Sequence, residues 1–307
     1  MRKEKAFGYQ LLIREYGRDR EKAAQLIGNV GEALARLRLE EYEEEKAETA
    51  LAVFAAAVSD SPHYFDRGTA AGQLLVSAVC CCMDRELPKG THEWRELLLQ
   101  AGIAPDLISS SIHAYGLHLR TAEGEHPAYA AFCRRKEACV VTLENLKGIV
   151  GAEAEGNTVF VVENEMVFSF LTGFLAEREE DCGLILLCTS GQPRTAALQV
   201  LSLLAEAGCL IRYSGDMDPE GIDIADRLWK RFGQMLEIWR MSPEDYRNGL
   251  SEERIDGKRM SRLCHVENPI LRETLEQVRK TGLAAYQENI LNELTADLQE
   301  YIHSKAK

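Results

Sequence analysis

Three carboxylates stand where apolar β-type sequence gives way to polar residues. Glu163 follows the run Thr158–Val162, and Asp216 and Asp218 follow Leu210–Tyr213. Gathered at one place they would form a hard oxygen cage. Magnesium takes oxygen ligands and keeps several of its waters, so two or three carboxylates suffice to hold it. An ion held in that way can clamp a phosphodiester, polarise it and activate water. Asp216 and Asp218 are two apart, which puts both on one side if the strand continues through Asp218. The competing role for Asp216 is structural, as the N-cap of a helix that begins near Pro219.

For these residues to meet, the elements that carry them must share a sheet. Short apolar runs at Thr158–Val162, Leu184–Cys188 and Leu210–Tyr213, with a further one at Ile238–Met241, alternate with helical stretches at Met166–Glu177, Arg194–Ala207 and Gly221–Phe232. That alternation predicts a parallel α/β sheet. Ligands of such sheets bind at the C-terminal ends of the strands, so the polar groups after each run gather on one edge. The first half reads as helical: Asp19–Ala57, Gly72–Met83 and Glu93–Ala101, with Ala104–Ser111 as a small helix–turn unit. It fits a helical bundle or a winged-helix module. Asp66 or Thr69 is placed to cap the helix that follows Ser59–Arg67. The acidic run Glu40–Glu48 reads as a solvated helix face. Asn268–His303 reads as one or two amphipathic helices broken at Gly282. The expected organisation is a helical segment over 1–60, a helical or winged-helix domain over 61–150 and an α/β domain over 151–307.

Composition narrows the function. The chain has 307 residues, 36 Lys and Arg against 49 Asp and Glu, and a formal net charge of −13. A basic coat over the whole surface is excluded, whereas a local basic groove for DNA is not. Nine cysteines occur without a CxxC pair, and three are contiguous, so they read as reduced core residues of a cytoplasmic protein rather than zinc ligands. Met1–Tyr16 is charged and has no apolar core of a signal peptide. No apolar run is long enough to span a membrane. A GxSxG elbow and a Walker A motif are both absent, so neither a serine hydrolase of that type nor an ATPase is expected.

The strings VVENE (161–165), LCTSGQP (187–193) and YSGDMDPEGIDIA (213–225) resemble a Toprim domain, the metal-binding fold shared by topoisomerases, primases and some nucleases. The DxDPxG form and the Ile-rich helix after it resemble the topoisomerase VI A-subunit branch. More closely, the stretch from His63 to Asp297 resembles the JetD subunit of type II Wadjet systems, bacterial anti-plasmid defences built on an SMC-like complex. SPHYFDRGTAAG (61–72), VTLENL (141–146), IWRMSPEDY (238–246) and AYQE (285–288) also carry that likeness. The segment before His63 is shorter than the corresponding region of JetD-like proteins.

The resemblance implies a Toprim sheet flanked by helices and a metal-dependent DNA endonuclease. Glu163 would be a metal ligand or general acid/base, and Asp216 and Asp218 would bind Mg²⁺ or Mn²⁺. Glu220 and Asp223 would be outer ligands or solvated helix residues. Ser190, Gly191 and Gln192 would form a loop whose N–H groups could hold a phosphate, with Arg194 as a nearby cation, or a plain loop-to-helix turn. Arg212 and Arg240 would be phosphate contacts or structural pairs. The implied partners are plasmid DNA, SMC-like ATPase subunits and a second copy of the chain.

Two other roles stay open. One is a scaffold subunit that keeps the fold without cutting. The other is strand cleavage through a tyrosine, for which Tyr42, Tyr64, Tyr115 and Tyr129 are available although none sits in a matching motif. A haloacid-dehalogenase-type phosphatase is disfavoured, because Glu220 stands where that motif needs Thr or Val.

Overall fold

The computed structural model describes residues 7–37, 49–104, 107–154, 158–178, 183–260 and 266–305. The chain forms two compact units, Met1–Leu107 and Ile108–Lys307. The acidic run Glu40–Glu48, Tyr42, Cys182 and Cys264 lie outside the described residues.

The first unit is helical, with α1 (Tyr9–Arg18), α2 (Arg20–Leu37), α3 (Leu51–Ser59), α4 (Ala70–Cys82) and α5 (Thr91–Gln100). Leu26, Val30, Ala33 and Leu37 recur at helical spacing along α2 and are buried with Leu74, Leu75 and Val79 of α4 and with Phe54, Phe65 and Trp94. Of the two expected caps, Thr69 serves: its hydroxyl oxygen accepts from Gly72 N at 2.9 Å. Two short strands, β1 (Thr49–Ala50) and β2 (Ile103–Ala104), pair in parallel. No β-hairpin wing occurs among the described residues of this unit, so it is a helical assembly. Ala104 ends β2, and no helix–turn unit follows it among the described residues up to Ser111.

The second unit opens with β3 (Ser111–Tyr115), β4 (His118–Thr121), β5 (Gly124–Glu125), α6 (Pro127–Arg135), β6 (Cys139–Thr142) and β7 (Ile149–Glu153). It continues through β8 (Thr158–Val162), α7 (Glu165–Ala176), β9 (Ile185–Cys188), α8 (Thr195–Glu206), β10 (Leu210–Ser214), α9 (Pro219–Phe232) and β11 (Leu236–Ile238). It closes with α10 (Pro243–Asn248), β12 (Leu250–Arg254), α11 (Gly257–Met260), α12 (Pro269–Thr281), β13 (Leu283–Ala285) and α13 (Leu291–Lys305). Six strands form the main sheet in the order β11-β10-β8-β9-β3-β6.

This sheet is mixed rather than wholly parallel. β11, β10, β8 and β9 run parallel, whereas β3 is antiparallel to both β9 and β6. β3 and β6 come from the stretch that read as part of the helical half, 61–150. The central strands are unbroken apolar runs because both faces are covered by helices; Val159, Phe160, Val161 and Val162 are fully buried. The fourth parallel strand lies earlier than the Ile238–Met241 run suggests. Only Ile238 belongs to it, and Arg240 turns out of the sheet with φ +53°.

Cys80, Cys188 and Cys209 are buried as expected, whereas Cys81 and Cys82 are exposed at the end of α4. No described helix is long and apolar enough to cross a membrane.

Candidate metal-binding carboxylate site

β8 and β10 are neighbours in register, with Val162 opposite Ser214. Their C-terminal ends therefore deliver Glu163 and the Gly215–Asp218 segment side by side. Glu163 Oε2 accepts from Asp216 N at 3.2 Å. Gly215 permits this approach: a Cβ there would stand 2.7 Å from Glu163 Oε2. Gly221 closes the turn from below, since a Cβ on it would lie 2.1 Å from the Asp216 carbonyl oxygen.

The electrostatics are those of carboxylates short of a counter-charge. Burial pushes Glu163 up to about 8, aided by Asp216, Asp218 and Glu165 and only partly offset by the Asp216 N–H. Burial likewise raises Asp216 to about 6; the Gln287 N–H opposes this, while Glu288 and Asp218 add to it. Desolvation disfavours the charged form, and so does a neighbouring like charge.

Asp218 is placed differently. Its Oδ1 accepts from Gly221 N at 2.8 Å and caps α9, so Asp218, rather than Asp216, has the capping role. Its Oδ2 pairs with Arg259 Nη2, which also reaches Glu220 Oε2 at 2.7 Å. Burial raises the Asp218 carboxyl, against the pull of the Gly221 N–H and Arg259. Glu220 is thus an ion-pair partner of Arg259. Asp223 pairs at 2.8 Å with Arg227 one helical turn on.

No group of three or more His, Cys, Asp or Glu converges to hold a metal among the described residues. Asp218 is engaged instead by the Gly221 N–H and by Arg259. The donor set still fits a magnesium-type ion, which needs only one or two carboxylates beside its waters and a substrate phosphate. Glu163 and Asp216 are two half-buried carboxylates of that kind, each raised by desolvation and by acidic neighbours.

The loop after β9 is braced. Thr189 N donates to the Val162 carbonyl at 3.0 Å, and Gly191 N donates to the Glu163 carbonyl at 3.1 Å. Those amides are committed to the neighbouring strand end, as in a loop-to-helix turn. Gln192 Oε1 accepts from Arg227 Nη2 at 2.6 Å, and Arg194 Nη1 donates to the Ser109 carbonyl at 2.5 Å. Ser190 takes the left-handed region at φ +55°, with its hydroxyl 3.0 Å from His113 Nδ1. Arg212 pairs with Glu237 at 3.3 Å, and Arg240 with Asp297 and Asp245, so both arginines have structural partners.

Two residues of the AYQE string complete the site without having drawn attention for chemistry. Gln287 Oε1 accepts from Glu163 N and Asn164 N, and its Nε2 donates to Ser214 Oγ at 2.9 Å. Glu288 Oε1 accepts from Asn164 Nδ2 at 2.8 Å. A paired bridge between Met217 and Ala285 brings this string to the site. Sequence spacing carries no signal for such a contact.

A family model for the C-terminus of proteins of unknown function, DUF2399, matches residues 139–298, just over half of the chain. The chain belongs to the DUF2399 family. A second model, for the N-terminus of proteins of unknown function, DUF3323, matches residues 3–119. No curated protein matches the sequence. The DUF2399 region runs from β6 into α13 and contains Glu163, Asp216, Asp218, Arg259 and Gln287. His113 lies instead in the DUF3323 region.

Two of the tyrosines available for strand cleavage have structural surroundings. Tyr129 is buried, and burial pushes its phenol up to about 12. Tyr64 stacks edge-on against Phe65 at 5.0 Å between ring centroids.

Proposed function

We propose that this DUF2399 protein is a divalent-metal-dependent DNA endonuclease of the Toprim type. In this reading it is a JetD-like nuclease subunit that cleaves plasmid DNA delivered by an SMC-like ATPase complex in the cytoplasm. The observation that carries the reading is the meeting of Glu163 and Asp216 at the ends of adjacent parallel strands, joined by the 3.2 Å contact. Fold-level likeness adds a prior only, because function is argued from the site.

Glu163 and Asp216 would hold Mg²⁺ or Mn²⁺. When bound, the ion supplies Lewis-acid polarisation of a phosphodiester and a bound water of lowered pKa. The protein contributes position and dryness. Gln287 fixes the backbone of Glu163 and the carboxylate of Asp216. Gly215 lets the Glu163 carboxylate lie against the main chain. Hydrolysis by water is preferred to a covalent tyrosine link. Cutting both strands would call for two sites, and hence for a second copy of the chain.

The pairing of Asp218 with Arg259 favours one alternative, a subunit that keeps the fold without cleaving. A single assay separates the two. Supercoiled plasmid is incubated with the wild-type protein, Glu163→Gln and Asp216→Asn in Mn²⁺ or Mg²⁺, with and without the ATPase partner. Nicked or linear product from wild type alone supports the endonuclease. Intact plasmid under every condition leaves the scaffold reading, and equal cleavage by all three places the activity elsewhere.

A further inference from the structure

Arg259 reaches into the acidic cluster from α11, a short helix whose first turn is held by Asp256. Asp256 Oδ1 accepts from Lys258 N and Arg259 N, both at 2.8 Å. The guanidinium pairs with Asp218 Oδ2, grips Glu220 Oε2 through Nε at 2.9 Å and Nη2 at 2.7 Å, and lies 3.7 Å from Glu253. One cation thus serves three carboxylates. Asp218 has no oxygen to spare: Oδ1 caps α9 and Oδ2 holds Arg259.

Asp218, two residues from Asp216 and electrostatically felt at both Glu163 and Asp216, is thus already neutralised by a side chain on a flexible stem. We infer that Arg259 competes with the divalent cation for Asp218 and so sets the affinity of the site for metal. This rests on the metal-dependent reading above. The exchange is balanced in charge. When metal claims Asp218 Oδ2, the guanidinium keeps Glu220 and Glu253 and need not leave the cluster. Removing it makes the site more negative and frees a ligand, so metal binds more tightly.

The test is calorimetric titration of Mn²⁺ alone into the full chain, together with melting curves with and without Mn²⁺. Arg259→Gln is expected to bind Mn²⁺ about tenfold more tightly than wild type, equivalent to roughly 1.4 kcal/mol. Without metal it melts below wild type, and Mn²⁺ closes that gap. Arg259→Lys keeps the charge but loses the two-pronged grip on Asp218 and Glu220. Its affinity is expected between the two, and it serves as the readout if Arg259→Gln does not fold.

Affinity in Arg259→Gln equal to or weaker than wild type overturns the inference. So does a melting deficit that Mn²⁺ leaves untouched, the behaviour of a purely structural pair. Affinity in Arg259→Lys equal to wild type overturns it as well. Absence of Mn²⁺ binding in every protein overturns the metal reading itself and this inference with it; equal binding in all overturns the inference alone.

Discussion

Gln287 donates its backbone N–H to Asp216 Oδ1 at 3.0 Å, while its side-chain carbonyl accepts from Glu163 N at 3.2 Å. One fully buried residue, remote in sequence from both, therefore fixes the carboxylate of Asp216 and the main chain of Glu163. Replacing Gln287 with Leu strands the Glu163 and Asn164 amides and the Ser214 hydroxyl. Each buried polar group left without a partner costs about 1–3 kcal/mol. Gln287→Leu is expected to lower stability by roughly 3 kcal/mol in urea unfolding and to weaken Mn²⁺ binding. Unchanged stability and Mn²⁺ affinity would refute the assignment.

Gly215 and Gly221 separate site from fold. Gly215→Ala meets the end of a side chain, Glu163 Oε2, which can swing away. That variant should fold and lose metal binding. Gly221→Ala meets the Asp216 carbonyl, which is main chain. It should lose both, with a fall in melting temperature that Gly215→Ala does not share. Circular dichroism melts beside Mn²⁺ titrations check the contrast.

Asp297 holds the segment that follows β11. Its Oδ2 accepts from Trp239 Nε1 at 2.6 Å and from Arg240 Nε at 2.7 Å, which secures Arg240 at its left-handed φ of +53°. Burial acts to raise this carboxyl, but the bonds from Arg240 and Trp239 outweigh it and hold the pKa below its ordinary value. A lowered folded-state pKa stabilises the fold above the unfolded value, near 3.9, and that contribution is lost as pH falls through the folded value. Asp297→Asn should cost about 2 kcal/mol at neutral pH, in the range for hydrogen bonds to charged groups. The deficit should shrink below about pH 4; a deficit constant with pH would count against the ion pair.

Thr69 caps α4 in the first unit, and its hydroxyl also donates to the Tyr64 and Asp66 carbonyls at 2.7 and 2.8 Å. Thr69→Ala should destabilise that unit by about 1 kcal/mol, and Thr69→Ser by less. Hydrogen exchange along α4 reads this out, and amides of β8 and β10 serve as the unaffected reference.

Much of the carboxylate site is legible in the residues alone. Glu163 and Asp216 stand after apolar runs, and runs of that kind alternating with helices place their ends on one edge. The pairing of Asp218 with Arg259 is not legible, because strand-end spacing says nothing about which acid a remote arginine will claim. Arg259 and Gln287 lie on separate elements downstream of Asp216, and only the closing of α11 and β13 onto the sheet end brings them in. The bracing of the loop after β9 is likewise set by long-range contact. Thr189 N and Gly191 N find backbone acceptors at the end of β8, Val162 and Glu163, because β8 lies beside β9.

The local pattern by itself determined the helical first unit, the central strands β8, β9 and β10 and the helices between them, since periodicity and strand length are properties of neighbouring residues. Tertiary structure decided what depends on long-range pairing. The antiparallel strands β3 and β6 add to the sheet edge because the exposed side of β9 needed a partner for its backbone groups. Asp218 became a helix cap and an ion-pair partner because a buried carboxylate takes whichever positive group packing brings within reach.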